Sequence, residues 1–413
     1  MRMKLNRSSQ LFVVAAVSLL AASLLTACET LTVDFVYILS NKAAGANQYG
    51  EIDVFEINSE SGRMRQIPTS PFPSAGRDPV AEAVSADNEN LFVANQDDNT
   101  IVQFVIGNDG KLYPFNTVNT PGIYPLAVAV NKANLFVVDT YEPLPLCSTA
   151  DPCPGSVAVY PLSGSTSSCA ATVCMGSPAV NPAVSATYWP LALSGTRAAD
   201  VIVPTAVAVL ANGNDVYITA YDSSVSPSVG YIFGFAVGSG GVLTPLSGSP
   251  FAAGAYPSAI ASSTSSYIYA TDFNNGKVLG YSVAASGSLT PLAGSPFPAG
   301  NQPTAIVIDP TYPYAYVSNS LDATVTAYSI SNGALSRIGS YATGLQPVAM
   351  GIDPSTNHFL FTVNFLDNTV SGFELSSTAG TLLNSQLSPY PTSGQPVAAA
   401  AIPHNGTGGG IQQ

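Results

Sequence analysis

The sequence predicts an all-β fold: a seven-bladed β-propeller of four-stranded antiparallel blades, closed by the C-terminal strand pairing with the N-terminal blade. Three observations predict it. The tripeptide P-x-A occurs seven times at near-regular spacing. Each copy leads into a run of short strand-like segments. The chain ends on a seventh copy with no strand behind it, and its first blade opens on a strand with no copy ahead of it.

The copies start at Pro79, Pro125, Pro204, Pro257, Pro303, Pro347 and Pro396, so the steps are 46, 79, 53, 46, 44 and 49 residues. One unit of about 45–50 residues lies in the range of propeller blades. After P-x-A comes a small-residue inner strand such as "AIVID", then a turn. Next is a second, aromatic and β-branched strand ending in a polar residue: "YILSN", "LFVAN", "LFVVD", "VYITA", "IYATD", "AYVSN" and "LFTVN". The following turn is built alike in "QDDNT", "SLDAT" and "FLDNT". A third strand alternates with period two, as in "TVTAYSI". A short fourth strand sits near "LTPL", followed twice by "GSPF". The proline caps the entry to the inner strand, where no ladder hydrogen bond is lost. The last copy, "GQPVAAAAI", is expected to insert beside Phe35–Ser40 and close the ring, which removes exposed edges.

Composition agrees. Of 413 residues only 9% are charged, against 46% hydrophobic, with 35 Gly and 32 Pro. Few charges and many turn formers fit a β-protein with tight loops. Beyond residue 27, nine Lys and Arg face 25 Asp and Glu, a formal charge of −16. Such a body does not neutralise phosphates, which excludes nucleic acid as a partner class.

Residues 1–27 read as an export signal. Arg2, Lys4 and Arg7 precede the uncharged apolar run Leu11–Leu25, too short for a membrane span of roughly 20 residues. "LLTAC" follows, and a Cys directly after L-x-[AT]-A resembles the bacterial lipoprotein signal. That resemblance implies cleavage before Cys28, lipid on its sulfur, and a membrane-attached protein of the cell envelope facing periplasm or exterior. Residues 28–32 are then the anchored linker, 33–403 the propeller with an insertion at about 140–200, and 404–413 a tail. The other cysteines, Cys147, Cys153, Cys169 and Cys174, form an even set that an oxidising envelope can pair in three ways. The local pairs Cys147–Cys153 and Cys169–Cys174 are favoured. They would fasten the long insertion, which also carries Trp189, the chain's one tryptophan. Trp189 either packs this loop onto the blade edge or stacks on a ligand.

"YVSN", "FVAN" and "FTVN", followed by D-[NA]-T-[VI], resemble the YVTN-type repeats of lactonase-like seven-bladed propellers. That superfamily includes 6-phosphogluconolactonase-like and muconate-cycloisomerase-like proteins. The resemblance covers roughly residues 33–403 and implies lactone hydrolysis, with His, Glu and Arg side chains in the channel of active members.

Chemistry on a propeller belongs to the face where the loops before P-x-A and after the second strand meet. The expected ligand-binding face is Asn95, Tyr124, Tyr141, Tyr221, Asp222, Tyr256, Asp272, Gln302, Asn319, Gln346 and Asn364. The polar residue ending each second strand has a simpler role too, capping its turn. Lactone hydrolysis needs a base for water and a donor for the oxyanion. Neither His358, in a turn on the other face, nor His404, in the tail, is a good base. Arg197, Glu142, Asp139 and Arg77 are the remaining catalytic candidates, and none sits in a family motif. No metal site is expected: Asp97 and Asp98 lack the oxygen spacing of a calcium loop. No cofactor is expected either. The leading expectation is a binding scaffold for an envelope protein, peptide or glycan; the alternative is a hydrolase opening an uncharged lactone.

Overall fold

The computed structural model describes residues 32–41, 49–58, 61–143, 147, 150, 152–166, 169–263, 266–353 and 359–403. The expected signal segment, Cys28, His358, His404 and the tail lie outside the described residues. Among the described residues there are seven antiparallel sheets of four or five strands and no α-helix. The inner strands are Pro396–Pro403 in blade 1, Pro79–Val84 in blade 2, Ile123–Val130 in blade 3, Ile202–Val209 in blade 4, Pro257–Ser262 in blade 5, Pro303–Ile308 in blade 6 and Pro347–Ile352 in blade 7.

Ring closure takes the expected form. Pro396–Pro403 pairs antiparallel with Thr32–Ser40, placing Phe35 opposite Ile402 and Leu39 opposite Ala398. The core is divided among the seven gaps between blades, and each gap holds its own hydrophobic cluster. The closing strand borders two of them: Ala398 and Ala400 pack towards blade 2, while Ala399 and Ala401 pack towards blade 7. Ala398–Ala401 thus pack alternately against the two neighbouring blades, where their small side chains fit.

The repeated residues join neighbouring blades. The tyrosine in the second strand reaches the next blade's outer hairpin. Tyr37 donates to Gly110 O at 3.2 Å, Tyr217 to Gly287 O at 2.7 Å, Tyr269 to Gly333 O at 2.8 Å and Tyr316 to Gly380 O at 3.3 Å. These hydroxyls are buried, and a buried donor needs a partner. The middle residue of P-x-A sits at a register break in the inner strand. Where it carries a hydroxyl, it donates to the next blade's proline carbonyl: Thr205 to Pro257 at 2.6 Å, Ser258 to Pro303 at 2.6 Å and Thr304 to Pro347 at 2.7 Å.

The "GSPF" repeat is a turn in which the serine hydroxyl accepts a third-strand N–H. Ser249 accepts from Gly234 and Ser295 from Gly280, both at 2.9 Å. Ser70 and Ser388 do the same in blades 1 and 7, ahead of Pro-Phe and Pro-Tyr.

The disulfides are Cys147–Cys153 and Cys169–Cys174, the favoured pairing. The long step is more regular than an insertion loop. Cys169–Met175 is the fourth strand of blade 3, and Trp189–Pro190 adds a short fifth strand against Val157 and Ser156. Trp189 is only 4% exposed and lies in the cluster between blades 3 and 4. It anchors the insertion to the core and is not available to a ligand.

Candidate functional site

The loop face is built by a repeated brace. In blades 2, 3, 5, 6 and 7 a polar residue at or near the end of the second strand turns its side chain back under the loop that precedes the inner strand. Asp272 accepts the N–H groups of Ala255 at 3.0 Å and Tyr256 at 3.2 Å. Asn319 accepts from Gly300 at 2.9 Å, and Asp139 from Gly122 at 3.2 Å. Asn364 donates to Thr369 at 3.1 Å and Ser371 at 2.9 Å, and Asn95 to Thr100 at 3.4 Å. All are buried, Asp272 at 2% and Asn95, Asp139, Asp222, Asn319 and Asn364 at 0% exposure. Of the expected ligand face, Asn95, Asp222, Asp272, Asn319 and Asn364 therefore hold loops in place beneath the surface.

A glycine three residues before the proline makes the brace possible. A Cβ on Gly76, Gly122, Gly254, Gly300 or Gly344 would come within 2.1–2.8 Å of the bracing side chain. The pattern G-x-x-P-x-A was legible in the sequence, and the glycines are its missing signal. A second brace comes from the turn after the second strand. Asp98, Asp322 and Asp367 each accept the N–H following that glycine, from Arg77 at 2.7 Å, Asn301 at 2.7 Å and Leu345 at 2.6 Å. This is why "QDDNT", "SLDAT" and "FLDNT" share an Asp at their third position.

Blades 1 and 4 depart from the pattern. In blade 1 the second strand ends on Ser40, and the carboxylate moves to the third strand as Asp53. Asp53 accepts from Ser393 N and Oγ, both at 2.8 Å, from Gln66 at 2.9 Å and from Ser40 at 3.2 Å, fastening the entry to the closing strand. In blade 4, Val201 replaces the glycine. Arg197 from the insertion takes over, bonding Asp222, Asp200 at 2.7 Å and the Tyr231 hydroxyl at 2.7 Å.

The two arginine candidates are thus held by carboxylates. Arg77 binds Asp98 at 2.6 Å, and Arg197 is shared between Asp200 and Asp222. Asp139 is sealed from solvent, and burial raises its pKa to about 7. Glu142 differs from both. It is half-buried, no ion pair involves it among the described residues, and burial raises its pKa while the nearby Tyr188 hydroxyl partly offsets that rise.

Beside Glu142 runs an arc of half-buried aromatic rings over blades 3 to 5. Tyr124 and Tyr141 meet edge to face at 6.1 Å, Tyr221 and Tyr256 lie 4.4 Å apart, and Phe273 stands 5.7 Å from Tyr256. Burial raises Tyr221 to about 12, so its hydroxyl remains a neutral donor at ordinary pH. Tyr124, Gln302 and Gln346, each directly before a P-x-A proline, have φ of 59°, 53° and 54°. A proline disfavours the right-handed helical region in the residue before it, and left-handed backbone costs about 1–3 kcal/mol per residue. The loop bonds hold it: Phe365 N–H donates to Gln346 O at 3.0 Å, and Ser320 N–H to Gln302 O at 2.9 Å. Of the expected face, Tyr124, Tyr141, Tyr221, Tyr256, Gln302 and Gln346 reach the surface. Phe273 and Tyr188 were not expected there. Phe273 directly follows a bracing Asp, and Tyr188 precedes the buried Trp189, so strand alternation puts it on the opposite side.

The sequence matches the family model for the lactonase seven-bladed β-propeller over residues 47–142 and 289–400. The chain belongs to this family. The unmatched stretch between them contains the insertion and the Tyr221–Tyr256–Phe273 part of the arc. Similar solved structures include a candidate 6-phosphogluconolactonase from Bacteroides fragilis, at 19% identity and TM-score 0.69, covering 91% of this chain and 99% of that one. A periplasmic gluconolactonase from Pseudomonas aeruginosa aligns at 16% identity and TM-score 0.66, covering 89% and 99%. At these identities the likeness is one of fold. No curated protein matches the sequence.

Proposed function

We propose that the protein is a hydrolase of the lactonase class, opening an uncharged, sugar-like cyclic ester on the loop face over blades 3 to 5. One observation carries this reading: Glu142, a half-buried carboxyl with no ion-pair partner among the described residues, directly follows Tyr141 of the aromatic arc and bonds the Tyr188 hydroxyl. Membership of the lactonase family supports it over the binding scaffold expected from sequence. The rings offer flat faces to a sugar ring, and Tyr hydroxyls offer donors. In the ionised state Glu142 would take a proton from water as the water oxygen adds to the ester carbonyl. Neutral tyrosine donors would stabilise the oxyanion. The ring oxygen then leaves with the carbon–oxygen bond and regains a proton from Glu142, giving the hydroxy acid.

Arg77 and Arg197 on this face are already bound to carboxylates, so among the described residues a phosphorylated lactone finds no free guanidinium there. In a lactone panel followed by pH-stat, turnover is expected for uncharged substrates, with little for phosphorylated ones. Glu142→Gln should lower kcat by about 100-fold or more. Because burial raises the folded-state pKa of Glu142, the acid limb of the wild-type pH–rate profile should lie above the ordinary glutamate value of 4.5. A panel without turnover, or a Glu142→Gln variant with full activity, would return the protein to the scaffold reading.

The lipoprotein-like start supports a second part of the proposal, a lipid anchor at Cys28 in the cell envelope. The membrane partner is then reached through the lipid, since the acidic body has no attraction for anionic headgroups. Cys28→Ser should move the protein from the membrane to the soluble fraction; tight attachment of that variant would refute the anchor.

A further inference from the structure

Glu82 is the only charged residue on the seven inner strands. Counted from the P-x-A proline, the same position holds Val128, Val207, Ile260, Ile306, Met350 and Ala399 in the other blades. Ile260, Ile306 and Met350 each lie in an inter-blade cluster. Glu82 therefore occupies a core position in the gap between blades 1 and 2. Its inner strand borders the channel and is half-buried as a whole, but both carboxylate oxygens are inaccessible and have no hydrogen-bond partner among the described residues.

The gap is the seam where the ring closes. The Ala400 N–H of the closing strand faces the carboxyl without reaching hydrogen-bond geometry, and Ala400 pairs with Tyr37. Tyr37, from the second strand of blade 1, is the titratable side chain facing Glu82. Its own hydroxyl is committed to Gly110 O, and Asp109 adds a further negative charge near it. No cation offsets Glu82 among the described residues. A charge buried in this way costs far more than its neutral form.

We propose that Glu82 is a pH-sensitive wedge in the ring-closing seam: neutral, it fills the gap as the aliphatic residues do elsewhere, and ionised, it drives the C-terminal strand out of its place. Burial holds its folded-state pKa well above the ordinary glutamate value of 4.5. The folded protein therefore keeps this proton over a window in which the unfolded chain has lost it. Its contribution to stability is full below about 4.5 and is lost as the pH rises towards the folded value. The element that yields is the closing strand, since it is held to the ring by its pairing with Thr32–Ser40 and by side-chain packing on either face.

The test compares wild type with Glu82→Gln and with Glu82→Met, the residue at the same position in blade 7. Thermal unfolding should give nearly equal midpoints near pH 4.5 and midpoints several degrees higher for both variants at pH 8. Amide exchange of residues 397–402, corrected for the intrinsic pH dependence, should accelerate with pH in wild type and not in Glu82→Gln. If Glu82→Met fails to fold, Glu82→Gln carries the comparison. A stability difference that does not change with pH, or exchange that accelerates equally in both proteins, would overturn the proposal.

Discussion

Deleting residues 394–403 is expected to abolish cooperative folding. The closing strand supplies the whole inner edge of blade 1, pairing from Asp34–Pro403 to Ser40–Pro396. Its residues also complete two of the seven inter-blade clusters, those containing Tyr37 and Leu39 on one side and Val36 and Ile38 on the other. Loss of the strand would uncover both clusters and leave Thr32–Ser40 as an exposed apolar edge, a template for aggregation. The Asp53 latch to Ser393 would lose its partner at the same time. Far-ultraviolet circular dichroism during heating, with size-exclusion chromatography, should show no sharp transition and mixed oligomers. Removing only residues 405–413 should leave the melting midpoint unchanged. A stable monomer after the larger deletion would refute closure as the source of stability.

The second large effect is expected at Gly254. Its φ is +70°, and an added Cβ would stand 2.1 Å from Asp272 Oδ2. Gly254→Val therefore imposes two separate costs. A β-branched residue in the left-handed region costs about 1–3 kcal/mol, and forcing a side chain into filled space costs a similar amount, about 1–3 kcal/mol. Together about 2–6 kcal/mol is expected, read from urea unfolding midpoints. The variant also displaces Asp272 from Ala255, Tyr256 and Asn275, so Tyr256 should leave its stacking position against Tyr221. Gly164→Val is the control, because a Cβ there meets nothing within 4 Å and the change should be nearly neutral. Equal losses in the two variants would show that the brace at Gly254 is not the cause.

Seven P-x-A copies, the orphan last copy and the orphan first strand were enough to fix the blade number and the closure partner, because strand period and turn spacing are local properties. Cysteine spacing favoured the two disulfides that form. The candidate site was legible only in part. Tyr124, Tyr141, Tyr221 and Tyr256 reach the face as read from strand direction. Asn95, Asp272, Asn319 and Asn364 share that direction yet turn inward, because the glycine beneath each loop leaves room for the side chain; Asp272 and Asn319 then bond loop N–H groups, whereas Asn95 and Asn364 bond third-strand hydroxyls.

The repeat, the strand order within a blade and the place where the ring closes are thus all written in neighbouring residues. Which polar groups remain available for chemistry depends on the folded chain. Arg197 is occupied by Asp222 from another strand, Asp53 is held by Ser393 from the far end of the chain, and Glu82 is enclosed by a blade completed last. Burial and charge pairing arise from contacts between segments distant in sequence, and no local pattern records them.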